Sequence, residues 1–137
     1  MAYVLDASFA ASWFLPDEAS EATDKLLSKV IENRPVVPGL FRHELLNVLL
    51  TAERRGRVTA ADVDGALATV STLPISVSAA ADDRAVLRLA RAHALTAYDA
   101  TYLALALAER LPLATLDKRL AKAALGENVA LLGPVKP

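Results

Sequence analysis

Asp6 ends the apolar run Tyr3-Val4-Leu5, and Asp117 ends a second run, Leu113-Ala114-Thr115-Leu116. Each run has the length of a short buried strand. In open parallel α/β sheets, ligands bind outside the carboxyl ends of the strands. If the two runs pair in parallel in one sheet, both carboxylates emerge at the same edge. Glu44 comes early in an apolar helix, with Leu40, Leu45, Val48 and Leu49 at helical spacing around it. Its charge therefore sits beside or on the buried face, where it is costly unless paired or bound to a cation. Asp99 opens another helix, whose N-terminus favours an ionised carboxylate. Ala100, Leu103, Ala104 and Leu107 give that helix a small-residue face that presses it into the body of the protein.

Asp6, Glu44, Asp99 and Asp117 together make an oxygen-only donor set, with no thiol and no paired histidines. Such hard donors suit Mg²⁺ or Mn²⁺ better than Zn²⁺ or Cu²⁺. Carboxylates around such a cation are a frequent answer to phosphodiester hydrolysis: the ion polarises the phosphate, lowers the pKa of a bound water and offsets developing charge. Each acid also has a purely structural explanation. Asp117 can cap the helix from Lys118 to Leu125, and Thr96 with Asp99 has capping-box spacing. Glu44 can pair with Arg42, His43 or an arginine of another helix. Asp6 can cap the helix after it, although Ser8 competes for that task. Asn47, one turn after Glu44, reads as a structural hydrogen-bonder to a loop, and His43 as a surface or supporting residue.

The frame that must position these residues alternates short apolar runs with helical periodicity, the pattern of an α/β sandwich around a mostly parallel sheet of four to five short strands. Strands are expected at Ala2–Leu5, Pro35–Pro38, Pro74–Val77, Leu113–Leu116 and Val129–Leu132. Helices are expected from about Ser8 to Phe14, then after a cap at Asp17 or Ser20 with Ala22, Leu26, Leu27, Val30 and Ile31 at helical spacing. Further helices are read over Leu40–Arg55, from the Thr59–Asp62 capping box to Val70, and over Ala81–Ala94, Tyr98–Arg110 and Lys118–Leu125.

A chain of 137 residues suits one domain, 1–137, with one core, and 54% hydrophobic against 23% charged residues excludes a disordered tail. The formal net charge of −1 advertises no polyanion partner overall but says little about a local patch. The absence of cysteine rules out disulfides, thiolate metal sites and a cysteine nucleophile. It fits a reducing cytosol. The start, MAYVLDAS, has no signal-peptide pattern, and no apolar stretch spans a bilayer, so a soluble cytoplasmic protein without membrane contact is expected. Arg42, Arg54, Arg55, Arg57, Lys118, Arg119 and Lys122 are candidate phosphate contacts; Lys118 and Arg119 rank first because they follow Asp117 directly. Trp13 and Phe14 read as core residues, with an exposed anchor for a partner helix as the alternative.

With these residues in order, the chain resembles the PIN-domain ribonucleases, and most closely the VapC toxins of prokaryotic toxin–antitoxin pairs. The resemblance is carried by Val4-Leu-Asp-Ala-Ser8, Glu44-Leu-Leu-Asn47, Tyr98-Asp-Ala-Thr-Tyr-Leu-Ala-Leu-Ala106 and Leu113-Ala-Thr-Leu-Asp117, and it covers essentially the whole length. It implies a PIN-like three-layer sandwich. Asp6, Glu44 and Asp99 match the family's core acidic positions and Asp117 a fourth, more variable one. Ser8 matches a hydroxyl that orients a metal-bound water, and Thr115 a small polar position near the site. The resemblance further implies RNA cleavage with Mg²⁺ or Mn²⁺, leaving a 5′-phosphate and a 3′-hydroxyl, a homodimer, and inhibition by a cognate VapB antitoxin. Two rivals remain. Haloacid-dehalogenase-like phosphatases also place an Asp after the first strand, but carry a second Asp two positions on, where this chain has Ser8. A non-catalytic PIN-like binding module would have no evident use for Glu44.

Overall fold

The computed structural model describes residues 1–133. Among them, five strands and seven helices alternate. β1 (Tyr3–Leu5) leads to α1 (Ala7–Ser12) and α2 (Glu21–Ser28). β2 (Pro35–Val37) leads to α3 (Phe41–Arg54) and α4 (Ala60–Thr72). β3 (Ser76–Val77) leads to α5 (Asp83–His93) and α6 (Ala97–Glu109), β4 (Leu113–Ala114) to α7 (Lys118–Gly126), and then to β5 (Leu131–Leu132). The strands form one sheet in the order β3-β2-β1-β4-β5. Every pairing is parallel, so the mostly parallel sheet expected from sequence is wholly parallel.

β1 lies in the middle of the sheet, and Tyr3, Val4 and Leu5 are fully buried. Burial on both faces explains why this strand reads as a continuous apolar run rather than an alternating one. From β1 the chain steps outward through β2 to β3. It then crosses back to the far side of β1, where β4 and β5 are added. Right-handed crossovers place α1 to α4 on one face and α5 to α7 on the other. The packing agrees: α1 lies on α3 and α3 on α4, while α5 lies on α6 and α6 on α7. The result is an α/β three-layer sandwich.

Helix ends follow local chemistry. Ser20 with Thr23 and Thr59 with Asp62 form reciprocal capping boxes, and the Asp82 carboxylate accepts from the Ala85 N–H. Trp13 is buried: its indole N–H donates to the Thr23 carbonyl at 2.9 Å, and it packs edge-on against Phe9 and Phe14. Trp13 therefore holds α1 to α2, as a core residue does. No helix among the described residues is long and apolar enough to cross a membrane.

Several boundaries differ from the sequence expectations. α1 begins at Ala7, so Ser8 lies inside it and is not its cap. α2 ends at Ser28, which leaves Ile31 in a turn and 75% exposed instead of on a buried face. β4 and β5 are only two residues each; beyond β4, Thr115 hydrogen-bonds Asp6 and Leu116 hydrogen-bonds Ser8 at the start of α1 instead of extending the ladder. α4 runs on to Thr72. Beyond β5, Gly133 has φ +104° and lies so close to the Phe9 ring that any side chain there would overlap it.

Candidate functional site

The sheet order reverses between β1 and β4: the chain leaves β1 toward β2 and leaves β4 toward β5. Loops at such a point splay apart and open a crevice at the carboxyl ends of the strands. Asp6 follows β1 directly, and its N–H donates to the Ala114 carbonyl at 3.0 Å. Thr115, Leu116 and Asp117 follow β4.

The Asp6 carboxylate does not cap α1. One oxygen, Oδ2, instead accepts from the Ser8 hydroxyl and the Thr115 hydroxyl, each at 2.6 Å. The remaining capacity of both hydroxyls fixes the second loop: the Leu116 N–H donates to Ser8 Oγ at 3.1 Å and the Asp117 N–H to Thr115 Oγ1 at 3.0 Å. Asp6 is only 5% exposed. Burial pushes its pKa up, the two hydroxyls pull it down, and the charges of Asp99 and Asp117 push it up again. Charge-assisted hydrogen bonds of this length favour the ionised form.

Asp117 does serve as the α7 cap. Its Oδ1 accepts from the N–H groups of Arg119 (2.8 Å) and Leu120 (3.1 Å). At Asp99 the capping box is half formed: the Asp99 N–H donates to Thr96 Oγ1 at 3.1 Å, with no return bond to the Thr96 N–H. Asp99 is half-buried. Burial raises its pKa and so does Asp117, while the Thr96 hydroxyl and the Arg119 charge lower it.

Glu44, on the buried side of α3, completes the group. Burial raises its pKa, the Tyr102 hydroxyl lowers it, and Asp6 and Asp99 raise it. Glu44 Oε1 and Tyr102 Oη are nonetheless both buried without a completed hydrogen bond. The two groups lie close enough to shift one another's titration, and burial with the facing Glu44 drives the Tyr102 pKa far up. A half-buried carboxylate with an unsatisfied oxygen is costly in isolation, and a cation relieves that cost. Tyr102 escapes sequence reading because it sits inside an otherwise small and apolar helix face.

The four carboxylates thus share one electrostatic environment at the switch point. They come from the ends of β1 and β4 and from the first turns of α3 and α6. No three acidic or histidine side chains among the described residues are close enough to grip one ion directly. The donors fit a hydrated hard cation, since Mg²⁺ keeps several waters and takes only one or two carboxylates directly.

Other residues singled out from sequence lie differently. Arg42 lines a cavity of ≈170 Å³ between α3, α4 and the β2–β3 edge, together with Val37, Leu45, Leu67, Val70 and Val77. None of the four carboxylates lines that cavity. Asn47 is exposed on α3 and makes no side-chain hydrogen bond among the described residues. Lys118 and Arg119 are exposed at the start of α7, beside Asp117. Arg57, read as a phosphate contact, is committed to Asp17 at 2.7 Å and Glu18 at 3.2 Å.

A family model described as PIN domain matches residues 3–125. Among solved structures, PAE2754 from Pyrobaculum aerophilum is 30% identical, with a TM-score of 0.69 over 96% of this chain and 83% of its own. The sarcin–ricin-loop-cleaving toxin VapC20 of Mycobacterium tuberculosis is 16% identical, with a TM-score of 0.66 over the full length of both chains. FitAcB from Neisseria gonorrhoeae is 18% identical, with a TM-score of 0.63 over 98% of each. The last two likenesses are of fold. No curated protein matches the chain significantly in sequence.

Proposed function

The chain belongs to the PIN-domain family, and from that premise we propose that it is a Mg²⁺- or Mn²⁺-dependent endoribonuclease, the toxin of a toxin–antitoxin pair. The observation that carries this reading is the pairing of a buried Asp6, held by two hydroxyls at 2.6 Å, with a Glu44 whose buried oxygen has no partner. A fold that only needed stability would not retain that arrangement.

Ser8 and Thr115 favour the ionised form of Asp6 against the effect of burial and fix its rotamer, which keeps one oxygen, Oδ1, clear of both hydroxyls. Glu44 and Asp99 extend the negative field, and Asp117 keeps Oδ2 clear of the capping bonds that its Oδ1 makes. These residues would hold the cation. When bound, it supplies Lewis-acid polarisation of the phosphate and acidifies water. Arg119 places a positive charge near Asp99 at the mouth of the site, where it can orient a phosphate, and Lys118 stands next to it. Hydrolysis would leave a 5′-phosphate and a 3′-hydroxyl.

A VapB-like antitoxin as inhibitor, a homodimer and a cytoplasmic setting belong to the same reading. The first is supported by VapC20, which is itself a toxin. A phosphatase using Asp6 as nucleophile is disfavoured, because Ser8 stands where an acid/base would be needed and its hydroxyl locks Asp6.

The test is an assay of purified protein on mixed RNA with Mn²⁺, Mg²⁺ or EDTA, beside a phosphatase assay on a small phosphomonoester. Metal-dependent RNA cleavage that is lost in Asp6→Asn is expected. RNA binding without cleavage would leave the binding-module reading, and phosphomonoester turnover would favour the phosphatase.

A further inference from the structure

An open groove of ≈460 Å³ runs between the end of α5 and the start of α7, lined by Arg91, His93, Ala94, Arg119 and Lys122. Its volume falls within the range of about 300–1,000 Å³ usual for ligand sites. Arg119 spans it: one guanidinium nitrogen donates to the Ala94 carbonyl at 2.6 Å. This anchors the side chain and satisfies a carbonyl left open where α5 ends in the left-handed turn at Ala94 (φ 53°). The other guanidinium N–H groups remain for a second partner. His93 is held by Glu127 at 2.7 Å, and the same carboxylate takes Arg88 at 3.3 Å. Arg91 and Lys122 are exposed and make no ion pair among the described residues.

Helix stability explains only half of this cluster. Arg91 and His93 sit in the last turn of α5, where cations complement the helix dipole. Arg119 and Lys122 lie on α7, where the Asp117 carboxylate already caps the positive end of the dipole, and neither side chain makes an ion pair among the described residues. In a chain of net charge −1, three cations gathered in one groove without an ion-pair partner among the described residues point to an anionic ligand. The groove is also joined to the acidic site. Arg119 acts on Asp99, and Ala94 is separated by Leu95 alone from Thr96, which caps the helix carrying Asp99.

We propose that this groove binds the sugar–phosphate backbone of single-stranded RNA flanking the scissile bond, with Arg91, Arg119 and Lys122 contacting consecutive phosphates. The proposal rests on the ribonuclease reading for its choice of ligand. One strand can then run from the groove over Arg119 into the carboxylate site, so that cations hold the flanks while the acids act at the centre. Backbone contacts of this kind position the strand and carry no sequence information.

The test is a fluorescence-anisotropy titration of labelled single-stranded oligoribonucleotides in EDTA at several salt concentrations. It compares wild type, Arg91→Ala/Lys122→Ala and a control with the same charge change, Lys25→Ala/Lys29→Ala at the end of α2 and the residue after it. For single strands, log K falls with log salt at about −0.7 per phosphate contact, so loss of two contacts should make the slope shallower by about 1.4. The control should match wild type. An unchanged slope in the groove variant, an equal change in the control, or no RNA binding by wild type would overturn the proposal. Groove-dependent binding of poly-glutamate as tight as that of RNA would also overturn it, in favour of an acidic protein partner. Cleavage is measured separately with Mn²⁺. Groove-dependent binding without any cleavage sinks the nuclease reading and leaves the groove. Cleavage with unaltered binding by the groove variant sinks the groove and leaves the nuclease.

Discussion

Thr115→Val takes away one hydroxyl and leaves the side chain's shape nearly intact. In wild type that hydroxyl donates to Asp6 Oδ2 at 2.6 Å and accepts from the Asp117 N–H at 3.0 Å, at a position only 2% exposed. The first bond is charge-assisted, for which about 1.5–3 kcal/mol is usual, and the second is neutral, for which about 0.5–1.5 kcal/mol is usual. Together they set the expected loss at about 2–4.5 kcal/mol near neutral pH. Ser8 still donates to the same carboxylate oxygen, which favours the lower half of that range. The loss should depend on pH with a defined sign. Burial already holds the Asp6 pKa above its usual value, and Thr115 is one of the two hydroxyls that lower it. Without Thr115 it rises further. A folded-state pKa above the unfolded one means that ionised Asp6 costs stability at high pH, and that this cost fades as pH falls through the folded value. The penalty of the variant relative to wild type should therefore be full at neutral pH and shrink in acid toward that of neutral bonds alone. Urea unfolding of the metal-free proteins at a series of pH values between about 7 and 4 reads this directly. A penalty that is the same at both ends, or absent, would refute the claim that Thr115 stabilises the ionised form of Asp6. Because metal ligands must be deprotonated, the acid limb of the cleavage profile should also move to higher pH in the variant.

Asp6→Asn and Asp99→Asn should each abolish RNA cleavage with a native far-UV spectrum, and both should raise the melting temperature of the metal-free protein by relieving carboxylate repulsion. Survival of wild-type cleavage in either would remove that residue from the site. The raised pKa values of Asp6, Glu44 and Asp99 predict that metal-free wild type gains stability as pH falls from neutral toward the unfolded-state carboxyl pKa of about 4, whereas added Mn²⁺ should stabilise most at the neutral end. A pH-independent melting temperature in EDTA would contradict it. Tyr102→Phe removes a buried hydroxyl whose benefit to stability comes only through the ionised form of Glu44, so any penalty in urea unfolding should be largest at neutral pH and fade in acid. Its loss also removes a group that lowers the Glu44 pKa, so cleavage should weaken chiefly on the acid side; a loss equal at all pH values would assign Tyr102 another role.

The placement of Asp6 was legible in sequence because Tyr3-Val4-Leu5 is buried on both faces and shows its strand character as an unbroken apolar run. Asp117 was equally visible, and here the structure joins two readings that the sequence sets against each other: one oxygen caps α7 and the other is clear of the cap. What sequence could not show depends on contacts between distant elements. The Tyr102 hydroxyl gains meaning only from facing Glu44 across the crevice, and nothing in the local pattern of α6 marks it. Ile31 fits the period of α2, yet the helix stops at Ser28 and the period no longer applies. Arg91, Arg119 and Lys122 read singly as ordinary helix-end charges; only the packing of α5 and α7 brings them to one groove.

The central position of β1 also bears on the order in which the chain is made. Of the five described strands β1 is made before the others, but the neighbour that completes its far side, β4, is made fourth, and Asp6 and Thr115 lie 109 residues apart in sequence. Contacts across such separations form late, because loop-closure entropy must be met before they contribute. At about 5–20 residues per second, a nascent chain carries Asp6 for several seconds before Thr115 exists. Throughout that time the acids from β1 and α3 have no counterpart from β4, and the cleft that would receive RNA has only one wall. On the proposed ribonuclease reading, a chain interrupted before β4 would be inert, and translation itself would delay the appearance of the activity.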